Sequence, residues 1–123
     1  MDTEKVIIVE GRTDLKKVQP ILDDDVLIIC TNGTIGIDKV EEIVDNYLLD
    51  EKDVYILVDE DDSGHKLRKQ LNKELPHAIN LYVDRSYREV ATTPDRENAS
   101  ILVNANINIH PQYLKGFNED GRN

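Results

Sequence analysis

The chain contains 123 residues, and its 15 Lys+Arg against 25 Asp+Glu give a formal net charge of −10. This length suits one domain, because domains most often contain roughly 100–150 residues. The acidic balance argues against tight, non-specific binding of duplex nucleic acid by this domain alone, since such binding ordinarily relies on patches of Lys and Arg.

Hydropathy and cysteine content exclude several other classes of protein. The longest apolar runs, at 26–30 and 54–58, contain five residues each, whereas a membrane-spanning helix needs about 20. The amino-terminal residues, MDTE, lack the basic and apolar regions of a secretory signal. Cys30 is the single cysteine, which excludes an intrachain disulfide and a thiolate-rich metal site. We therefore expect a cytoplasmic protein that has no contact with a membrane.

Strand-like and helix-like segments alternate over the first two thirds of the chain. Short apolar runs predict buried strands at 6–9, 26–30, 54–58 and 79–83. Apolar residues at helical spacing predict the intervening helices, and the clearest stripe contains Ile37, Val40, Ile43, Val44 and Tyr47.

The order βαβαβαβ predicts an α/β domain in which four mostly parallel strands form a Rossmann-like sheet with helices on both faces. We expect the strand order 2-1-3-4, because it places the ends of strands one and three side by side at a topological switch point. Thr13 or Asp14 is a suitable cap for the first helix, and Ser63 is a suitable cap for the third.

The C-terminal part of the chain has a less regular pattern. A Thr-Pro pair predicts one further helix over about 94–105, followed by a loop. We expect a single domain over residues 1–123, with a core at about 4–85 and a C-terminal extension at 86–123.

Acidic side chains follow the first and third predicted strands. Glu10 comes after the first strand, and the segment 59–62, DEDD, comes after the third. Side chains alternate at a strand end, so Asp59 and Asp61 should point to the same side, with Glu60 opposed. Mg²⁺ prefers oxygen ligands and commonly binds one or two carboxylates together with phosphate oxygens. The pattern favours a metal site, although for the strand-three segment alone a solvated acidic loop is an equal alternative.

Glycines accompany the acidic residues at the strand ends. Gly11 is expected to permit a tight exit from the first strand. Gly64 is expected to let the backbone approach a phosphate at the start of a helix, and Gly33 to act in the same way on the second loop.

The segments 9–14, VEGRTD, and 58–64, VDEDDSG, together resemble the signature of the Toprim domain, which is a Glu-Gly after strand one and an Asp-x-Asp-x-x-Gly after strand three. The turn Asn32-Gly33-Thr34 is similar to the family's intervening glycine turn. Toprim domains occur in topoisomerases, bacterial primases, recombination proteins and nucleases. The chain is most similar to the Toprim part of the ribonuclease that matures 5S ribosomal RNA, and the resemblance covers roughly residues 4–85.

The resemblance implies roles for individual residues. Asp59 and Asp61 would bind Mg²⁺, with Mn²⁺ as a substitute, and Glu10 would be the general acid/base or a further ligand. Apart from the resemblance, His65 follows Gly64 and is a candidate proton donor, although an exposed histidine at a helix start is the commoner case. Lys66 and Arg68 would contact phosphate, with a solvated helix face as the alternative. The supporting residues, which would orient metal-bound waters or contact phosphate, are Gly11, Asp14, Gly33, Asp62, Gly64, Lys66 and Arg68.

Two functions remain open on the sequence. The first is Mg²⁺-dependent phosphodiester chemistry on nucleic acid, as a nuclease that acts on RNA or DNA. The alternative is a non-catalytic metal-binding scaffold or regulatory module of a nucleic-acid-processing complex. Because the chain is acidic and little more than the domain itself, we expect weak binding of nucleic acid, RNA included, by the domain alone. Substrate selection is then expected to depend on the extension, on self-association or on a protein partner.

Overall fold

A computed structural model describes residues 3–33 and 35–115, so Thr34 of the expected glycine turn and the end of the extension, 116–123, lie outside the described residues. The strands are β1 (Lys5–Val9), β2 (Val26–Cys30), β3 (Asp53–Leu57) and β4 (Ile79–Leu81). The helices are α1 (Arg12–Val18), α2 (Ile37–Asn46), α3 (Asp62–Glu74), α4 (Asp95–Asn104) and α5 (Gln112–Lys115). Short 3₁₀ turns follow α1 and α2, at Gln19–Ile21 and Leu49–Glu51.

The four strands form one sheet in the order β2-β1-β3-β4, and every pairing is parallel. Ile7 of β1 pairs with Ile28 of β2 on one side and with Tyr55 of β3 on the other. The expected order is therefore confirmed, and the carboxyl ends of all four strands lie along one edge of the sheet. β4 is shorter than the predicted run at 79–83.

Two buried clusters fill the two faces of the sheet. Ile7 and Tyr55 face a cluster that includes side chains of α1 and α4, such as Val18 and Leu102. The alternate β1 residues, Val6 and Ile8, face a second cluster built with α2 and α3. Helices cover both faces, as expected, because the chain moves from β1 to β2 on one side and returns to β3 on the other.

Residues after β4 complete the first of these clusters. Val90, Ala99, Leu102 and Ile107 are fully buried there, against side chains of β1 and β3. Ile109 also forms an isolated antiparallel bridge with Leu22. The sheet face opposite α2 and α3 is thus closed by the C-terminal part of the chain. Within residues 3–33 and 35–115, no helix is both long enough and apolar enough to cross a bilayer.

Helices α1 and α3 begin with caps that differ from the expected ones. Gly11 is the N-cap of α1, and its N–H donates to Asp14 Oδ2 at 3.0 Å. Asp61 is the N-cap of α3 and accepts a hydrogen bond from the Gly64 N–H at 2.8 Å. The predictions of a Thr13 or Asp14 cap and of a Ser63 cap are therefore wrong, because both helices begin immediately after the acidic strand ends.

Candidate metal centre

Three carboxylates converge where β1 and β3 end. Glu10, Asp59 and Asp61 each offer one oxygen, and these oxygens all lie within 4.8 Å of one another. β1 and β3 are neighbours in the sheet, so the residues that follow them are brought together. Glu10 and Asp59 are nevertheless 49 positions apart in the sequence (59 − 10 = 49). All three side chains are half-buried. We refer to Glu10, Asp59 and Asp61 as the acidic triad.

Burial and neighbouring negative charges together raise the pKa of Asp59. Burial, followed by the negative charges of Asp14, Asp61 and Glu10, raises the pKa of Asp59 to about 6, against the lowering effect of a hydrogen bond from the Val90 N–H. This carboxylate therefore takes up a proton more readily than an ordinary aspartate, which shows that its negative charge is poorly compensated by the protein.

Asp14 contributes to the same accumulation of charge. The side chain is buried on α1 and accepts the Gly11 N–H. Burial raises the pKa of Asp14, and the charges of Glu10, Glu89 and Asp61 raise it further, whereas the bond from Gly11 lowers it. Asp14 thus lies within electrostatic range of the triad without belonging to it.

Each carboxylate of the acidic triad is held by a donor from a different place in the chain. The Ser63 Oγ–H donates to Glu10 Oε2 at 2.7 Å. The N–H groups of Gly64 and Val90 donate at 2.8 Å to Asp61 Oδ1 and Asp59 Oδ1, respectively. Among the described residues, the other oxygen of each carboxylate has no hydrogen-bond donor. The three side chains are therefore fixed in direction while each keeps one oxygen for a ligand.

The donor set fits a hard divalent cation. Mg²⁺ and Mn²⁺ prefer carboxylate and water oxygens, and the acidic triad offers only carboxylates. Burial and the neighbouring negative charges together raise the pKa of Asp59, and a cation among these groups would offset the mutual repulsion of the carboxylates. The residues that the structure brings together are thus suited to hold such an ion.

The close approach of α3 to β3 explains Gly64. A Cβ atom at this position would lie 2.0 Å from the backbone oxygen of Asp59, which leaves no room for a side chain. The close contact that the structure shows is with the Asp59 backbone, and the approach to a phosphate stays a prediction. The N–H of Gly64 donates to Asp61 Oδ1, so this residue supports one member of the acidic triad and lets α3 approach the backbone of another.

The loop after β2 supports Glu10 through its backbone. Asn32 and Gly33 both have positive φ angles, 63° and 108°, and glycine favours such a conformation. Their N–H groups donate to the carbonyl oxygen of Glu10 at 2.7 and 3.2 Å. Gly11, in contrast, is extended with φ −136°, a conformation that any residue can adopt. The backbone at this strand exit therefore does not require a glycine, contrary to the prediction.

Arg68 lies away from the position expected for a phosphate contact. Its guanidinium is buried and donates to Asn80 Oδ1 at 2.9 Å and to the Leu81 carbonyl at 2.8 Å. It also stacks on Tyr82 and lies 3.7 Å from Glu60. Burial lowers the pKa of this guanidinium, against the opposing effects of Tyr82 and Glu60. Arg68 therefore joins α3 to β4, and its side chain is buried rather than on a solvated helix face.

The remaining expected residues lie near the start of α3. Asp62 is exposed on the first turn, and Lys66 lines a groove between α2 and α3. His65 Nε2 lies 3.3 Å from Glu60 Oε1, so the candidate proton donor is paired with the carboxylate that alternates away from the acidic triad. The structure does not place Lys66 or His65 among the triad's hydrogen-bond partners.

Sequence reasoning missed two partners of the acidic triad. The sequence predicts Ser63 as a helix cap, but its hydroxyl donates a hydrogen bond to Glu10. Val90 acts through its backbone N–H, which no side-chain pattern reveals. The loop that carries Val90 is anchored beside the site, because the Glu60 N–H donates to the Arg88 carbonyl at 2.7 Å.

Comparison with known proteins places this geometry in a family. A family model described as the Toprim domain matches residues 5–88. A Bacillus subtilis protein named uncharacterized protein YusF is 51% identical over 114 residues, which are 93% of this chain and 77% of the relative. Ribonuclease M5 of Mycoplasma genitalium is 36% identical over 83 residues, which are 68% of this chain and 45% of the relative. The chain thus spans less than half the length of that ribonuclease.

A solved structure agrees with the fold as well as with the sequence. The small TOPRIM domain protein from Bacillus stearothermophilus superposes with a TM-score of 0.86 at 46% identity, covering 93% of this chain and 95% of the other. The matched region 5–88 contains the whole acidic triad. These findings confirm the resemblance drawn from the strand-end motifs, and the chain belongs to the Toprim domain family.

Proposed function

We propose that the protein carries out Mg²⁺-dependent phosphodiester chemistry on nucleic acid, as a nuclease, with Mn²⁺ as an alternative cation. The observation that carries this proposal is the convergence of three carboxylate oxygens within 4.8 Å at the carboxyl edge of a parallel sheet. The name of the ribonuclease M5 relative supports RNA as the substrate class.

In this proposal Asp59 and Asp61 hold the cation. A bound divalent cation stabilises negative charge on a transferring phosphoryl group and lowers the pKa of a coordinated water. The N–H groups of Val90 and Gly64 fix the directions of the two aspartates, so their free oxygens are oriented before the ion arrives. The protein then has little conformational freedom to lose when the ion binds.

Glu10 has a distinct part. Ser63 holds its Oε2 atom at 2.7 Å, which leaves Oε1 to accept a proton from an attacking water or to serve as a further ligand. The carbonyl of the same residue is bound by the loop after β2, so both the backbone and the side chain of Glu10 are fixed. Asp14 and Asp62 would orient metal-bound waters from the first turns of α1 and α3.

The net charge of −10 favours a second candidate function. An acidic surface gives little long-range attraction for nucleic acid. A Toprim domain that keeps its metal but acts as a scaffold or regulatory module would need no such attraction. In either case we propose that a protein partner or self-association supplies part of the binding to nucleic acid.

A metal titration combined with a cleavage assay separates these functions. Mg²⁺ and Mn²⁺ are titrated calorimetrically into the wild type, the double variant Asp59→Asn/Asp61→Asn and the control Asp25→Asn/Asp45→Asn. The control removes the same charge from two exposed positions. The same proteins are then incubated with an end-labelled structured RNA and with single-stranded DNA.

The nuclease predicts metal binding and cleavage by the wild type and the control, and the loss of both in the triad variant. Metal binding without turnover in the wild type supports the scaffold. Equal, weak metal binding by all three proteins contradicts the assignment of the metal site to the acidic triad.

A further inference from the structure

A cleft of about 270 Å³ opens at the carboxyl edge of β1 and β2, beside the acidic triad. Its lining is contributed by α1, the end of β2 and the loop that follows, namely Arg12, Leu15, Lys16, Cys30 and Asn32. Leu15 and Cys30 pack against the buried cluster and give the cleft an apolar floor. Arg12, Lys16 and Asn32 are exposed and supply a polar, cationic rim.

The two cations on the rim are available to a ligand. Arg12 and Lys16 are four residues apart on α1 and therefore lie on the same side of the helix. Lys17, on another side, forms an ion pair with Asp95 at 3.1 Å. In the part of the chain that the structure describes, Arg12 and Lys16 form no ion pair. In a protein with a net charge of −10, two such cations at one cleft favour an anionic occupant.

The cleft is joined to the acidic triad through short backbone connections. Gly11 alone separates Arg12 from Glu10. The Asn32 N–H donates to the Glu10 carbonyl at 2.7 Å, and the Cys30 thiol donates to the Gly11 carbonyl at 3.4 Å. In the sheet, the triad lies where β1 adjoins β3, and the cleft lies where β1 adjoins β2. The two sites are thus neighbours along one edge.

We propose that this cleft binds a nucleotide next to the reacting phosphodiester, with its phosphate held by Arg12 and Lys16 and its sugar or base on Leu15. The inference rests on the proposed function, because it names a second contact of the same substrate. The nucleic-acid strand then crosses the carboxyl edge from β3 toward β2, at right angles to the strands. A guanidinium binds phosphate oxygens in pairs, which fixes the register of the strand as well as its position.

The size and shape of the cleft agree with this occupant. Pockets for complete drug-sized ligands usually measure about 300–1,000 Å³ and are largely closed. The present cleft, at about 270 Å³, is smaller and open, and it accommodates one unit of a longer chain that continues beyond it. The apolar floor is suited to the face of a sugar or base, which every nucleotide offers.

Binding of RNA tests the proposal without reference to turnover. A fluorescein-labelled single-stranded RNA is titrated with protein in Ca²⁺ buffer, and its anisotropy is followed at several salt concentrations. The test variant is Arg12→Ala/Lys16→Ala. The control, Lys69→Ala/Lys73→Ala, removes two exposed cations from α3 and changes the net charge equally. Arg12→Lys keeps the charge but loses the paired geometry of the guanidinium.

The test variant is expected to bind RNA about 10-fold more weakly, and its salt dependence is expected to fall by about one unit in log–log slope. The control should remain within about 2-fold of the wild type, and Arg12→Lys should fall between them. Mg²⁺ affinity, measured by calorimetry, should be unchanged in the test variant.

Four results would overturn the proposal that the cleft binds a nucleotide. Equal weakening by both double variants would show that only overall charge matters. If inorganic phosphate displaced the RNA at a concentration similar to that of the RNA itself, the cleft would be a site for free phosphate. Unchanged binding by the test variant would refute the cleft while leaving the metal chemistry intact, whereas a wild type that binds no RNA would refute the proposed function and the cleft together.

Discussion

The acidic run after β3 divides into two regions that differ in whether a cation of the protein compensates their charge. Asp59 and Asp61 turn toward Glu10, where three carboxylates meet without a cationic partner among the described residues. Glu60 turns the other way, toward the buried guanidinium of Arg68 at 3.7 Å. Compensated charge on one side ties α3 to the sheet, and uncompensated charge on the other side is left for a ligand. Adjacent residues of the same chemical type thus serve stability and binding separately.

Removing Arg68 should abolish the interaction with Glu60 on the compensated side and have the largest effect on stability. Arg68→Ala leaves Glu60 without the guanidinium and removes one donor from Asn80 Oδ1 and one from the Leu81 carbonyl. We expect a loss of about 3 kcal/mol in the free energy of unfolding, measured by urea denaturation. Lys69→Ala, an exposed neighbour, should change it by less than about 0.5 kcal/mol. A loss below about 1 kcal/mol for Arg68→Ala would show that the pair is not structural.

Removing the hydroxyl of Ser63 should weaken cation binding by the acidic triad, on the uncompensated side, without unfolding the protein. Ser63→Ala frees Glu10 to rotate, and we expect about a 10-fold reduction in Mg²⁺ affinity or in cleavage rate. Ser63→Thr keeps a hydroxyl and should retain most of the function. Ser86 makes a similar bond, from its Oγ–H to Asp84 Oδ1 at 2.7 Å, so Ser86→Ala is a matched control. Equal behaviour of Ser63→Ala and Ser86→Ala would remove the positioning role.

Neutralising Asp59 should stabilise the metal-free protein, the opposite sign to Arg68→Ala. The folded-state pKa of about 6 lies above the ordinary value of 3.8, so the folded protein binds more protons and loses stability as the pH rises between these values. Asn keeps an oxygen for the Val90 N–H but carries no charge. Since solvent screens a half-buried carboxylate, we expect a gain of about 1 kcal/mol for Asp59→Asn at pH 7.

Thermal unfolding in EDTA at several pH values measures this gain. The difference between Asp59→Asn and the wild type should be small near pH 4, grow up to about pH 6 and then level off. Saturating Mg²⁺ should reverse the order, because only the wild type then gains a stabilising ligand. An Asp59→Asn variant that is less stable than the wild type at every pH would contradict the cost that burial and repulsion impose on the charged Asp59 side chain.

The sheet could be predicted from the sequence because each buried strand is a short apolar run with a clear end. The triad motif could be found for a related reason: its residues are side chains at those ends, where topology fixes their neighbours. The burial of Arg68 could not be predicted, because an arginine on a polar helix ordinarily points to solvent. One signal was present, since Asn72 lies one turn later on the same side of α3, and both residues bind Asn80 Oδ1.

Backbone contributions could not be predicted in the same way. The N–H of Val90 reaches Asp59 from a segment whose sequence resembles an ordinary loop. The need for Gly64 could be noticed, but its cause, the close approach to the Asp59 backbone, depends on how α3 packs on the sheet. Such contacts are decided by tertiary packing, on which a single sequence carries little local information.

The family match ends at residue 88, two positions before Val90, and this has a practical meaning for protein engineering. A graft of residues 5–88 into another protein would omit the donor on Asp59 and the side chains that cover one face of the sheet, such as Leu102. The exposed apolar face would promote aggregation. The portable unit of this fold therefore extends at least to Ile109, beyond the segment that the family model matches.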